Sequence, residues 1–284
     1  VESVYQAASL TKPVVAFAAL QLAIAGELNL NASVAHYLPN GYTHFQGVLA
    51  RRPGDPSNAL PSSLLAQIPL ITLLNHTSGL PNWSTKPMSP SFAPSTRWQY
   101  SGEAFMLLQS VIEAVAGQDF EKFMRTHVLQ PIGMKSSSMV WMPAFDSSAQ
   151  VGQAGVLSPR PVRFLHAAAA ASLYTTANDY GRFMAALFAN GSVLTLTLKQ
   201  PASVDEQLRI SWGLGWGIEQ TEKGPLLWQW GNNPGFRSFA MLSPDSGDGF
   251  VLFTSSEHGM PLAVPLAHQV FPTEHNAFRF GMVG

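Results

Sequence analysis

Between Ser9 and Gly26 the chain is apolar on nearly every side of a helical wheel, with Val14, Phe17, Ala18, Leu20 and Ile24 at near-helical spacing. A helix with no polar face has no solvent side, so the pattern predicts a deeply buried helix. Pro13 falls in or near its first turn, where a missing N–H leaves no bond unmade. A second helix is predicted over residues 101–116, with Phe105, Leu108, Val111, Ile112 and Val115 on one face and Gly117 at its end. A third is predicted over 119–129, closed by Gln130-Pro131-Ile132-Gly133. Thr176 to Asp179 resembles a capping box and opens a fourth over 177–190, with Gly191 as its stop. A short helix is expected over 71–75 and a last one over 262–270.

The final third changes period. Residues 210–220 and 225–230 are short aromatic, glycine-bearing segments that read as strands. Residues 236–242 and 250–254 flank Ser243-Pro244-Asp245-Ser246-Gly247-Asp248-Gly249 and predict a hairpin. Residues 39–69, with Pro39-Asn40-Gly41, Arg51-Arg52-Pro53-Gly54-Asp55-Pro56 and Pro61, read as loop, and 84–94 as a Ser/Pro-rich surface loop. Helices first and antiparallel strands later predict an α+β class. No internal repeat is present.

Composition narrows the partners. Charged residues are 12 % of the 284, about half the usual share, and the net charge is −1. No basic stripe is present, which argues against nucleic acid as a partner. Cysteine is absent, excluding disulfides and thiolate chemistry. No stretch approaches the roughly 20 apolar residues of a membrane span. Lys12 followed by an apolar run and Ala23-Ile24-Ala25 has some likeness to a signal peptide, but Glu2 and Pro13 fit that reading poorly. The histidines are scattered without metal-ligand spacing, so no metal and no cofactor are expected.

The candidate chemistry begins at Ser9-Leu10-Thr11-Lys12, which puts a hydroxyl and an amine one helical turn apart. A buried lysine of lowered pKa can activate a serine. Alone, the pair is as well explained by a helix N-cap. Tyr100 opens the second helix and is a candidate proton shuttle if a neighbouring ammonium lowers its pKa; a core tyrosine with a satisfied hydroxyl is the plainer reading. Asn75-His76-Thr77-Ser78-Gly79 reads as a structural turn near the site. The tryptophans of the strands read as core, with only those nearest Gly231 candidates for a pocket wall.

Six elements in order are similar to the serine β-lactamase and penicillin-binding-protein-like hydrolases, in the branch of class C β-lactamases, D-aminopeptidases and family VIII esterases. They are Ala8-Ser9-Leu10-Thr11-Lys12-Pro13, Leu74-Asn75-His76-Thr77-Ser78-Gly79-Leu80-Pro81, Tyr100-Ser101-Gly102, Gln130-Pro131-Ile132-Gly133-Met134, Ser172-Leu173-Tyr174-Thr175-Thr176-Ala177 and Gly231-Asn232-Asn233-Pro234-Gly235-Phe236. The S-x-x-K element is established for such enzymes. The resemblance implies one catalytic domain over 1–284. An antiparallel sheet would come from 1–30 and about 165–284, and a mostly helical part from about 31–164. It further implies an extracytoplasmic location and a small ester, amide or lactam as substrate. It leaves the oligomeric state open.

By the same resemblance Ser9 is the acylated nucleophile, Lys12 its base, and Tyr100 the general base and acid. The backbone N–H groups of Ser9 and Asn232 form the oxyanion hole, and Gln229, Trp230, Gly231, Gly102 and Arg237 meet the substrate. Two positions depart from the family pattern. Gly102 stands where Tyr-x-Asn has its asparagine, and neutral Gln229 stands where lysine or histidine is common. Both favour small esters over β-lactams or D-amino-acid peptides, with a non-catalytic ligand-binding relative as the alternative. The family also carries a helix and two strands before the nucleophile helix. Only about eight residues precede Ser9, so the expectation is a fragment lacking those strands, with a sheet edge exposed.

Overall fold

The computed structural model describes residues 2–46, 56–153 and 163–283. The arginine-rich part of the expected loop, residues 51–55, lies outside them.

A short strand β1 (Tyr5–Gln6) leads through a 3-10 turn (Ala8–Leu10) into α1 (Thr11–Ile24). Residues Thr11 to Leu20 of α1 are all buried, as the all-round apolar pattern requires. Next come α2 (Val34–Tyr37), the hairpin β2 (Tyr42–Phe45) and β3 (Ser57–Leu60), α3 (Ser62–Leu65) and α4 (Ile71–Leu74). The hairpin and α3 correct the expectation of loop over 39–69. Four-residue elements are too short to show a period, and tertiary packing fixes them. Helix α5 (Gly102–Ala116) starts on Ser101, whose Oγ accepts from the Ala104 N–H, and stops at Gly117. Helix α6 (Phe120–Phe123), capped by Asp119, continues as a π-helical stretch over Met124–Leu129.

β4 (Tyr174–Thr175) pairs antiparallel with β1. α7 (Ala177–Ala189) is capped by Thr176. Gly191 does not end the helical region as expected. Asn190 Oδ1 accepts from the Val193 N–H and caps a further helix, α8 (Gly191–Leu198). Strands β5 (Ala202–Asp205), β6 (Ile210–Trp212), β7 (Gly217–Thr221), β8 (Gly224–Asn233), β9 (Phe236–Leu242) and β10 (Gly249–Thr254) form one antiparallel sheet in sequential order. The expected strand over 210–220 is two strands, parted by a turn in which the Gly213 N–H donates to the Trp216 carbonyl. α9 (Ala263–Val270) follows. β10 is the sheet's outer strand opposite β5, and among the described residues no strand lies beyond it.

Both faces of this sheet are buried. Leu227, Ala240 and Leu242 pack with α1, α5 and α7 in one cluster. Trp212, Trp228, Trp230, Phe239 and Met241 pack with α9 and the C-terminal segment in a second. The alternation along β8 and β9 sets which side chain goes where. It turns Gln229 toward the nucleophile turn and Trp230 to the opposite face.

The C-terminal segment is tied to the sheet by a buried pair. His275 Nδ1 lies 2.7 Å from Glu219 Oε1, and Nε2 lies 2.9 Å from the Phe271 carbonyl. With both ring nitrogens facing acceptors, the satisfied form is the imidazolium. Burial opposes that charge, but the bonds to Glu219 and Phe271 outweigh it and raise the pKa above its ordinary 6.5. A pKa raised on folding stabilises the fold below the unfolded value and loses that effect as pH climbs through the folded one. The thermal-melting advantage of the native chain over H275Q is therefore expected to be greatest below about pH 6.5 and to shrink at alkaline pH. A pH series of thermal melts measures it, and an advantage that grows with pH contradicts the assignment.

Candidate active site

Ser9 sits in a tight elbow. Ala8 just before it has φ of 50°, a left-handed conformation rare outside glycine. The elbow is held by Thr11 Oγ1 donating to the Ala8 carbonyl at 2.6 Å and Ser238 Oγ donating to the Ala7 carbonyl at 2.8 Å. Strand β8 passes so close that a Cβ on Gly231 would lie 2.6 Å from the Ala7 carbonyl and 3.0 Å from Ala8 Cβ. Only glycine fits there.

Lys12, 1 % exposed, places Nζ 2.9 Å from Ser9 Oγ and 2.8 Å from the Ala170 carbonyl. The ammonium also lies over the Tyr100 ring, 4.8 Å from its centroid. Burial lowers the lysine pKa from 10.5 to about 7. A substantial fraction of neutral amine near pH 7 can then take a proton from Ser9.

Tyr100 corrects one expectation. Its hydroxyl is buried, and burial raises its pKa well above 10, only partly offset by hydrogen bonds with Ser9 and Gln229. The neighbouring lysine does not make it a phenolate. Gln229 is fully buried, and its Nε2 donates to the Tyr100 hydroxyl at 2.9 Å and to the Trp230 carbonyl at 3.0 Å. Gln229 thus sits behind Tyr100 and holds it. His76, with φ of 60°, supports the other side. Its ring centroid lies 4.4 Å from that of Tyr100, and its Nδ1 accepts from the Ser101 N–H. Burial and then the Lys12 charge hold its pKa well below 6.5. His76, Trp98, Trp212 and Trp228 each keep a ring nitrogen without an acceptor among the described residues. All belong to this aromatic packing, where ring faces are the neighbours.

Ser9, Tyr100, Trp230 and Asn232 line one cavity of about 310 Å³, together with Asn82, Trp83, Ala171, Asn233 and Met282. Ser9 and Asn232, the expected oxyanion pair, thus share a wall. Arg237 is not in this lining. Its NH1 donates to the Phe236 and Asn233 carbonyls, which ties it to its own turn. Gly231 acts through its missing side chain. Gly102 is covered: a Cβ there would lie 2.7 Å from the Asn82 carbonyl and 2.8 Å from the Trp83 ring. Asn82, Trp83 and Met282 went unnoticed in the sequence, since none stands in a motif and a long-range fold brings them to Ser9. Among the described residues no cluster of histidine and carboxylate side chains could hold a metal, and no helix is long and apolar enough to cross a membrane.

A family model described as Beta-lactamase matches residues 1–274. Esterase EstB of Burkholderia gladioli is 29 % identical over 281 residues, covering 76 % of this chain and 66 % of its own. This chain therefore spans just under two-thirds of that esterase's length. The D-alanyl-D-alanine-carboxypeptidase/endopeptidase AmpH of Escherichia coli (strain K12) is 23 % identical, covering 90 % of this chain and 72 % of its own. A class C beta-lactamase structure superposes with a TM-score of 0.79 at 18 % identity, over 95 % of this chain and 82 % of that one. At that identity the likeness establishes the α+β fold.

Two outcomes follow from the packing. Filling the space over Gly102 forces Asn82 and Trp83 apart, so Gly102→Ala is expected to cost about 1–3 kcal/mol of stability, measured by urea denaturation. The rate of Ser9 labelling by a fluorophosphonate is expected to rise with pH, half-maximal near the Lys12 value of about 7. A profile flat across that range would remove Lys12 as the base.

Proposed function

The chain belongs to the Beta-lactamase family, and on that premise we propose that it is a serine hydrolase that cleaves small neutral esters through a Ser9 acyl-enzyme. The observation that carries this reading is the buried Lys12 amine 2.9 Å from Ser9 Oγ, beside a cavity that no charged side chain lines among the described residues.

In the proposed reaction Ser9 Oγ attacks the ester carbonyl and its proton passes to neutral Lys12. Charge on the carbonyl oxygen is met by the backbone N–H groups of Ser9 and Asn232. Such donors contribute roughly 3–4 kcal/mol each to the transition state. Tyr100, kept as a neutral phenol, gives its proton to the departing alkoxide and is reprotonated by the Lys12 ammonium. Water then repeats the sequence on the acyl-enzyme. It loses a proton through Tyr100 to Lys12, the acid leaves, and Ser9 recovers its proton.

Neutral, partly aromatic walls support esters over substrates bearing a carboxylate. A β-lactam or a D-alanyl peptide has an anionic group that Gln229 cannot pair and that Arg237, bonded to its own turn, does not reach from the cavity lining. The whole of 1–284 is read as one catalytic domain. An extracytoplasmic location is proposed from the similarity to a D-alanyl-D-alanine-carboxypeptidase, with cell fractionation as its check.

Parallel assays with p-nitrophenyl butyrate, a chromogenic cephalosporin and a D-amino-acid p-nitroanilide are expected to favour the ester. Ser9→Ala should reduce all turnover to background, and Tyr100→Phe should slow cleavage of an alkyl ester such as ethyl butyrate about 10²–10⁴-fold. Faster cephalosporin turnover overturns the substrate assignment. Absence of a Ser9-dependent fluorophosphonate adduct in folded protein leaves a ligand-binding relative instead of an enzyme.

A further inference from the structure

Residues 167–171 are alanines in an unbroken run, buried from Ala168 to Ala171. Alanine has the highest helix propensity of any residue, so such a run reads as helix. In the fold it is a turn. Alanine side chains make no hydrogen bonds, so groups outside the run hold its shape. Ser172 Oγ accepts from the Ala168 N–H at 2.8 Å, and Asn233 Nδ2 donates to the Ala171 carbonyl at 3.3 Å. Gln109, half-buried on α5, spans the start of the run. Its Nε2 donates to the Ala167 carbonyl at 3.2 Å, and its Oε1 accepts from the Ala169 N–H at 2.9 Å. A carbonyl at one end and an N–H at the other fix the orientation of the amide.

These bonds continue in a line to the candidate base. The peptide unit that gives the Ala169 N–H to Gln109 presents the Ala168 carbonyl on its opposite edge. That carbonyl accepts from the Ala171 N–H at 2.9 Å. The peptide unit of the Ala171 N–H carries the Ala170 carbonyl on its own opposite edge, and this accepts from Lys12 Nζ at 2.8 Å. Two peptide units thus connect Gln109 Oε1 to the Lys12 amine, each hydrogen bond polarising the next. Facing Lys12 elsewhere are Ser9 Oγ and the rings of Tyr100 and Phe105, with centroids at 4.8 and 5.7 Å. His76 also feels its charge, and burial with that charge keeps its pKa well below 6.5. Tyr100 stands two residues before α5, and Phe105 and Gln109 lie within it, so one helix frames the amine from several sides.

We propose that Gln109 is a positioning residue that aims the Ala170 carbonyl at Lys12 and thereby tunes the base. An acceptor aimed at the amine favours its charged form, against the burial that disfavours it. Without Gln109 the alanine turn loses two of its outside bonds and the carbonyl loses its aim. Lys12 then becomes a weaker base. The inference rests on the reading of Lys12 as the base for Ser9.

Gln109→Met keeps the length of the side chain and removes both bonds, whereas Gln109→Glu returns an acceptor to the Ala169 N–H. The pH midpoint of Ser9 labelling by a fluorophosphonate is expected to lie about 0.5–1 pH unit lower in Q109M. In Q109E it is expected at or above the wild-type value. Gln109→Leu takes the place of Q109M if that variant does not fold. A side chain that only holds the fold together lowers the melting temperature and leaves the midpoint in place, and an unmoved midpoint in Q109M overturns the proposal. So does an equal fall in both variants. Lys12 is also titrated without any reaction, by NMR of the ε-carbon in isotope-labelled lysine, where its signal is the one absent from Lys12→Arg. A Gln109-dependent Lys12 midpoint in folded protein that gives no Ser9 adduct sustains this inference and removes the enzyme reading. A Ser9 adduct and ester cleavage with a Gln109-independent midpoint do the reverse.

Discussion

An amine buried beside a hydroxyl is the constraint that organises this molecule. Moving an ammonium out of water is costly, and a protein answers by pairing the charge or lowering its pKa. Among the described residues no carboxylate pairs with Lys12. Its Nζ has the Ala170 carbonyl, Ser9 Oγ and the face of Tyr100. That set holds either protonation state without fixing the charge, which is what the base role proposed for Lys12 requires. A nearby carboxylate would have pinned the ammonium and raised its pKa.

Much of the rest follows from keeping that amine dry and in place. Helix α1 is apolar all round because it runs between the sheet and the other helices. The sheet is apolar on both faces because aromatic side chains and α9 close its far side. Tyr100 is gripped between Gln229 and His76, so that its hydroxyl stays at Ser9. Burying a large aromatic removes on the order of 150–250 Å² from water. The cluster around Trp212, Trp228 and Trp230 thus contributes stability as well as a wall for the cavity.

The chain's departures from its family's pattern fit together once their packing is seen. Gln229 lacks charge, yet its amide is used to hold Tyr100. Gly102 lacks a side chain, yet the space is filled by the Asn82 backbone and the Trp83 ring. From sequence the two positions read as losses of polar contact. In the fold each has been taken up by another group, and among the described residues the cavity lining is neutral.

The α+β class, the long helices and the closeness of Ser9 to Lys12 were legible because they depend on local order. Apolar spacing marks a buried helix, and i, i+3 spacing brings Ser9 to Lys12 whatever lies around them. Short elements such as β2, β3 and α8 were not, since their stability comes from contacts far along the chain. Nor was the protonation behaviour. The amine of Lys12 and the phenol of Tyr100 are both moved mainly by burial, a property of the surroundings and not of the motif. The sequence by itself determined which groups could react. Only the tertiary structure decided how far burial lowers the Lys12 pKa and raises that of Tyr100, and that Asn82, Trp83 and Met282 join Ser9. Solvent exclusion and wall formation are set by residues distant in the chain that meet only when it folds.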